Sequence, residues 1–258
     1  MPSSIIDSAL FRDLFGTAAM RGVFSDENYL QKMLDVEAAL ARVQARLGLI
    51  PEAASAEITA KARVELFDIA AMKAETEIVG YAVLPLVHQL AKVCERNAGQ
   101  YAHWGATTQD IWDTATILQM REAFLLVEAD LVALAGILAD LASRYRDAVM
   151  PGRTHLQHAL PITFGYKAAV WLFSIDRHIE RLRQMRPRLM LGQFAGAAGT
   201  LASLHPNGLK VSDALMAELG LGVPAMPWHV ARDGIAEALN LLGLVTGIDI
   251  RRPALKLP

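Results

Sequence analysis

Two short stretches of this chain concentrate residues that can move protons and hold anions. The first is His103-Trp104-Gly105-Ala106-Thr107-Thr108-Gln109-Asp110, directly before the longest helix-forming segment. Gly105 permits a tight backbone, and Thr107 and Thr108 bring hydroxyls and amides to a helix N-terminus, a natural place for a carboxylate. A plainer reading of the same residues is that Thr108 caps the helix while Asp110 and Asp113 complement its dipole. The second stretch is Gly152-Arg153-Thr154-His155-Leu156-Gln157-His158-Ala159-Leu160-Pro161. It gathers a cation, a hydroxyl, an amide and two imidazoles in one loop, and loops held by rigid elements are where functional groups collect. Histidine gives or takes a proton near neutral pH, whereas Arg153 could equally do no more than satisfy carbonyls at a helix-helix connection. His155-x-x-His158 hints at a metal site, but neither cysteine nor HExxH accompanies it, so zinc is not expected. A third stretch, Gly192-Gln193-Phe194-Ala195-Gly196-Ala197-Ala198-Gly199-Thr200, is rich in small residues, and close backbone packing explains it when taken alone. His88, His178, His205 and His229 have no comparable sequence neighbours and are expected to be structural or exposed.

The elements that must position these stretches read as helices. From Leu30, apolar residues recur as Met33, Val36, Leu40, Val43 and Leu47, steps of three and four that keep one helix face apolar. Ser25 is the expected cap, Asp26 and Glu27 suit the first turn, and Gly48 and Pro51 end the segment. A second pattern, from about Thr76 to Asn97, contains Pro85 and should kink or split there. From about Gln109 to Val149 no proline intervenes and alanine and leucine abound, which predicts a helix of roughly 60 Å, too long for an ordinary globular domain and suited to a bundle. Pro161 fits the first turn of the next helix, whose apolar face runs through Ala168, Trp171, Leu172 and Ile175 toward the basic stretch Arg177 to Arg188, read as a solvated face. Further helices are expected near Leu209 to Leu219 and Val230 to Val245. No segment shows the alternation that strands require.

Composition narrows the class of partner. The 258 residues are 53% hydrophobic, enough for a substantial core, which makes disorder an unsuitable description. Lysine plus arginine (25) nearly balance aspartate plus glutamate (27), so nothing marks a nucleic-acid or membrane surface and a small molecule is the expected ligand. The most apolar stretch, Phe124 to Leu141, carries Glu128, Asp130 and Asp140, which does not suit a membrane span. Cys94 is the only cysteine and reads as a core thiol, which fits a reducing compartment. The N-terminal residues lack the pattern of a secretory signal, so a cytoplasmic location is expected.

Three motifs, taken together and in order, resemble those of the fumarase/aspartase superfamily. HWGATTQDIWDTA is similar to its first signature, GRTHLQHALPITFG to its second, and LGQFAGAAGTLASL to the glycine-rich stretch that follows. The ATTQD and LQHALPITFG forms look most like those of the 3-carboxy-cis,cis-muconate cycloisomerases, with adenylosuccinate lyases next. The likeness runs from near the first residue to about Gly247. It implies an all-α fold with a helical N-terminal domain (1–105), a long-helix central bundle domain (106–247) incomplete at its C-terminal side, and an atypical tail (248–258). In the superfamily, four subunits build the bundle, and each active site joins signatures from three chains. The implied chemistry is the cofactor-free, reversible closure of 3-carboxy-cis,cis-muconate to a carboxymuconolactone, with no metal. His155 is the expected general acid and His158 its partner, with Thr107, Thr108, Gln109, Arg153, Thr154 and Gln157 contacting the tricarboxylate.

Two departures qualify the likeness. Glu75-Thr76-Glu77-Ile78-Val79-Gly80-Tyr81 stands where an adenylosuccinate lyase shows a histidine-aspartate pair, which argues against that substrate. The third signature, SSxMPxKxNP, does not occur, which implies a truncated or altered C-terminus and a chain that is catalytically poor or inactive by itself. The alternatives are a superfamily lyase that eliminates fumarate from a succinyl-amine such as adenylosuccinate, and a non-catalytic helical assembly protein.

Overall fold

Helices account for most of this chain because their apolar stripes recur at helical spacing and their ends carry matching caps. The computed structural model describes residues 4–6 and 8–247, so the tail 248–258 lies outside the described residues. In chain order come α1 (Arg12–Phe15), α2 (Ala18–Val23), α3 (Asp26–Arg46), α4 (Glu52–Lys61), α5 (Ile69–Val79), α6 (Val83–Val93), α7 (Thr108–Arg144), strands β1 (Val149–Thr154) and β2 (Gln157–Thr163), α8 (Phe164–Leu189), α9 (Gly208–Leu219) and α10 (Asp233–Thr246). They divide into two compact units, one made of the described residues of Met1–Ala123 and Met190–Arg232, the other of those of Phe124–Leu189 and Asp233–Pro258. Among the described residues no helix is long and apolar enough to cross a membrane.

The first unit is built around α3. Ser25 caps it as expected, its hydroxyl accepting from the Asn28 amide at 3.2 Å. The face predicted to be apolar is buried except at its end: Met33, Val36, Leu40 and Val43 are buried with Leu34 where α3 packs on α4, α6 and α9, whose Ile58, Leu86, Leu90, Leu215 and Met216 are buried too, but Leu47 at the C-cap is exposed. Arg42 and Arg46, one turn apart, both donate to Glu218 of α9 at 2.7 Å. The segment containing Pro85 is split into two helices rather than kinked. The break falls at Gly80, left-handed at φ 89°, and Pro85 sits in the first turn of α6, where a missing N–H costs nothing. Cys94 is half-buried at the end of α6 rather than sealed in the core. Burial, then the nearby Glu57 carboxylate, push its thiol up to about 11, so it stays protonated and unreactive at neutral pH.

In the second unit α8 lies along α10, with Ile175, Ile179, Leu182, Met185, Ala238 and Leu241 buried. Glu128 of α7 accepts from Arg183 of α8 at 3.0 Å and also pairs with Arg186. These bonds, led by the one from Arg183, hold the Glu128 carboxyl below its ordinary value. That stabilisation is present above the ordinary glutamate value and is lost as pH falls through the lowered one. Glu128→Gln is expected to cost about 1 kcal/mol at neutral pH, because both arginines are partly exposed, and nothing in acid where the carboxylate is protonated. Urea unfolding of both proteins at two pH values measures this, and an equal difference at both would count against it.

Two expectations are corrected. The long helix is present but ends at Arg144, and the residues from Val149 to Thr163 form an antiparallel hairpin instead of a helix end and a loop. Most of its residues are exposed on both faces, so the apolar-polar alternation that betrays a half-buried strand never arises. Pro161 is not in a first helical turn: it pairs with Pro151 across the ribbon, and α8 starts at Phe164. A two-stranded ribbon consists only of edge strands, where proline is tolerated.

Candidate functional site

Asp110 organises the candidate residues of the first unit. It stands in the first turn of α7, its side chain has no solvent exposure, and its carboxylate accepts four hydrogen bonds. Oδ1 takes the Ala195 amide at 3.0 Å and His229 Nε2 at 2.8 Å; Oδ2 takes the Gly196 amide at 2.9 Å and the Thr107 amide at 3.0 Å. A buried carboxylate is tolerable only when its lone pairs are filled in this way. One helical turn on, Asp113 receives a two-pronged contact from Arg232 at 2.7 and 2.9 Å, and Thr114 exchanges hydrogen bonds with the backbone of Gln193 at 2.8 Å. Asp110, Asp113 and Thr114, spaced i, i+3 and i+4, thus fasten one face of α7 to the glycine-rich stretch and to the segment before α10. Trp228 completes the lock, donating from its amide to Gln193 Oε1 and from its indole to the Gly192 carbonyl.

This scaffold changes the reading of the threonines. Helix α7 begins at Thr108, so Thr107 holds the capping position, and Asp110 reaches back to its amide in the manner of a capping box. Neither Thr107 nor Thr108 spends its hydroxyl on a hydrogen bond within the described residues, and both are half-buried. Gln109 is more committed: its amide nitrogen donates to Asp113 at 3.1 Å and to the His229 carbonyl at 2.7 Å.

Behind the loop, α3 supplies two buried polar side chains seven residues apart, Glu37 and Gln44. Glu37 accepts the His103 amide at 3.0 Å and faces His103 Nδ1 at 2.6 Å, while Gln44 donates to the Trp104 carbonyl at 2.6 Å. His103 adopts φ 59°, a left-handed conformation costing about 1–2 kcal/mol in a non-glycine residue, and the double grip of Glu37 offsets it. Burial lowers its imidazole, but the charge and hydrogen bond of Glu37, with Asp110 nearby, outweigh that and raise it above its ordinary value.

The second unit carries the other candidates on the hairpin. Thr154 pairs with Gln157, leaving His155 and Leu156 as a two-residue turn at φ 31° and 67°, the left-handed region that such turns require and that usually selects Asn-Gly. His158 pairs with Arg153 next to a bulge at Gly152, where a Cβ would meet the Leu160 carbonyl at 2.6 Å. Arg153, Thr154, His155, Gln157 and His158 are all exposed, and their side chains form no hydrogen bonds within the described residues. The predicted residues therefore fall into two groups in different units: Thr107, Thr108 and Gln109 at the start of α7, and the other five on the hairpin.

Sequence reasoning missed Glu37, Gln44, His229 and Arg232. The first two were hidden in a helix read only for its apolar stripe, although Glu37 and Gln44 fall on the same face. His229, expected to be structural or exposed, is a structural partner of Asp110. Among the described residues no three of His, Cys, Asp and Glu are grouped to hold a metal ion.

Comparison with known proteins places these features in context. A model of a lyase family matches residues 15–251. The chain is 47% identical over 248 residues to the 3-carboxy-cis,cis-muconate cycloisomerase of Pseudomonas aeruginosa, covering 95% of this chain and 54% of that protein. Its fold superposes on the 3-carboxy-cis,cis-muconate lactonizing enzyme of Pseudomonas putida with a TM-score of 0.91 at 44% identity, covering 93% of this chain and 55% of the other. A fumarate lyase from Mesorhizobium sp. BNC1 matches at 0.85 and 53% identity, covering 88% and 54%. The chain thus spans about half the length of the relatives it matches.

Proposed function

The chain belongs to the lyase family whose model spans most of it, and from that membership we propose that the protein acts in the interconversion of 3-carboxy-cis,cis-muconate and a carboxymuconolactone. The observation that carries this reading is the 47% identity to a cycloisomerase over nearly the whole chain. The reaction, in protocatechuate breakdown, is cofactor-free in this proposal. One carboxylate oxygen bonds to a carbon of a double bond, the π pair moves onto the neighbouring carboxylate as an aci-carboxylate, and a proton then reaches the carbon between them. Such charge needs donors aimed before the reaction starts. Thr107 and Thr108 supply free hydroxyls for one carboxylate, beside a loop that Gln109 helps to lock. In the proposed homotetramer each site joins segments of different subunits, and Arg153, Thr154 and Gln157 serve the substrate from the hairpin of a second subunit. His155 delivers the proton, and His158 orients or assists it. The proposal includes a cytoplasmic homotetramer, a helical head over residues 1–105 and a bundle domain over 106–247.

A second reading has its own support, since the fumarate lyase from Mesorhizobium is 53% identical to this chain: elimination of fumarate from a succinyl-amine. Absorbance separates the two. In a version of the chain extended through a serine-rich third signature, loss of the muconate diene signal is the expected result, and appearance of fumarate from a succinyl-amine with an unchanged diene would overturn it.

Thr108→Ala gives a finer test of the carboxylate site. Because Asp110 carries the capping bond, the substitution is expected to change stability by less than about 0.5 kcal/mol, well under the roughly 1 kcal/mol of a lost cap. Carboxylate affinity should fall several-fold. Calorimetry and urea unfolding on the same protein decide between the two roles, and a stability loss with unchanged affinity would make Thr108 a structural residue.

A further inference from the structure

Three carboxylates are tied to the loop before α7 or to its first turn: Glu37 from α3, and Asp110 and Asp113 from α7 itself. Against them stands one permanent cation, Arg232, paired with Asp113, together with two histidines, His229 on Asp110 and His103 on Glu37. With both imidazoles neutral, this surrounding carries an excess of two negative charges, and an incoming carboxylate would be repelled from the free hydroxyls of Thr107 and Thr108. We propose that Glu37 is a positioning residue for carboxylate binding at the start of α7, acting through His103, whose ring nitrogen and backbone amide it grips. The inference rests on the carboxylate-binding reading of this loop given above and adds to it a charge requirement.

The geometry fits that role in two ways. Glu37 takes the ring nitrogen and the backbone amide of one residue, so a single buried carboxylate sets both the orientation of the imidazole and the path of the loop. Its grip on Nδ1 leaves Nε2, which has no hydrogen-bond partner among the described residues, on a side chain 21% exposed. A protonated His103 therefore keeps one N–H for an anion. A wholly structural clamp would need the same distances but would leave carboxylate affinity indifferent to the charge of His103.

The test follows His103 and a tricarboxylate probe together. Histidine in the 258-residue chain is labelled with nitrogen-15, and the His103 ring signals, assigned by their loss in His103→Gln, are titrated from about pH 6 to about pH 8. Binding of propane-1,2,3-tricarboxylate is measured by calorimetry across the same range. The wild type is expected to bind about tenfold more weakly once His103 has lost its proton. Glu37→Gln should lower the His103 midpoint and weaken binding about tenfold at neutral pH, and acidification should restore it. Acid rescue is what a structural defect would not show. An affinity loss equal at every pH, or an unmoved midpoint, overturns the inference. Should Glu37→Gln fail to fold, the wild type still decides: an affinity that does not follow the His103 midpoint refutes the role. No binding by the wild type at any pH removes the carboxylate site itself and the role of Glu37 with it, whereas binding that Glu37→Gln leaves untouched removes only the latter.

Discussion

Replacing Asp110 with alanine is expected to remove about 3–5 kcal/mol of stability, a large share of the total for a domain of ordinary stability. Four donors converge on this carboxylate, three of them backbone amides from two separate stretches, and each donor left without an acceptor in a buried place costs about 1–3 kcal/mol, less whatever entering water returns. Asp110→Asn should also destabilise, by about 2 kcal/mol, because one carboxylate oxygen becomes an amide donor facing donors. Urea unfolding followed by circular dichroism is the measurement. A loss below about 1 kcal/mol for the alanine variant would mean that the glycine-rich stretch and the start of α7 hold together without this hub.

In a version of the chain extended through a serine-rich third signature, His155→Gln is expected to lower the turnover of 3-carboxy-cis,cis-muconate by on the order of 10²-fold or more while leaving the fold intact. The side chain is exposed at the tip of the hairpin, so little packing is lost. Because the turn holds this residue at φ 31°, His155→Gly is the sharper control: it relieves the backbone and removes only the acid. Both variants should be comparably slow. His158→Gln should do less, since that residue lies within the paired strand rather than in the turn. Unchanged turnover in His155→Gln alongside a dead His158→Gln would reverse the two roles.

What the sequence determined by itself follows from short-range regularities. The stripe of Met33, Val36, Leu40 and Val43 and the caps at its ends specify α3, because helix periodicity and capping act within a few residues. The proline-free run after Thr108 specifies α7. The three motifs are legible enough to indicate the family, and both candidate groups stand out as contiguous strings of polar and titratable residues. The hairpin is not legible, because a ribbon wet on both faces leaves no period-two signature. Nor is the scaffold beneath the site: Glu37 meets His103 across 66 residues and His229 meets Asp110 across 119. A buried charge is tolerated only where the folded chain brings donors to it, and no local pattern states which donors those will be. The tertiary structure therefore decided that Gln109 is largely spent on the scaffold, that Thr107 and Thr108 keep their hydroxyls free of partners among the described residues, and that Asp110, an acid in the first turn of α7, is a hub as well as a dipole complement. The types of the reactive residues belong to the sequence, while their charge and freedom to act are set by partners that only folding brings near.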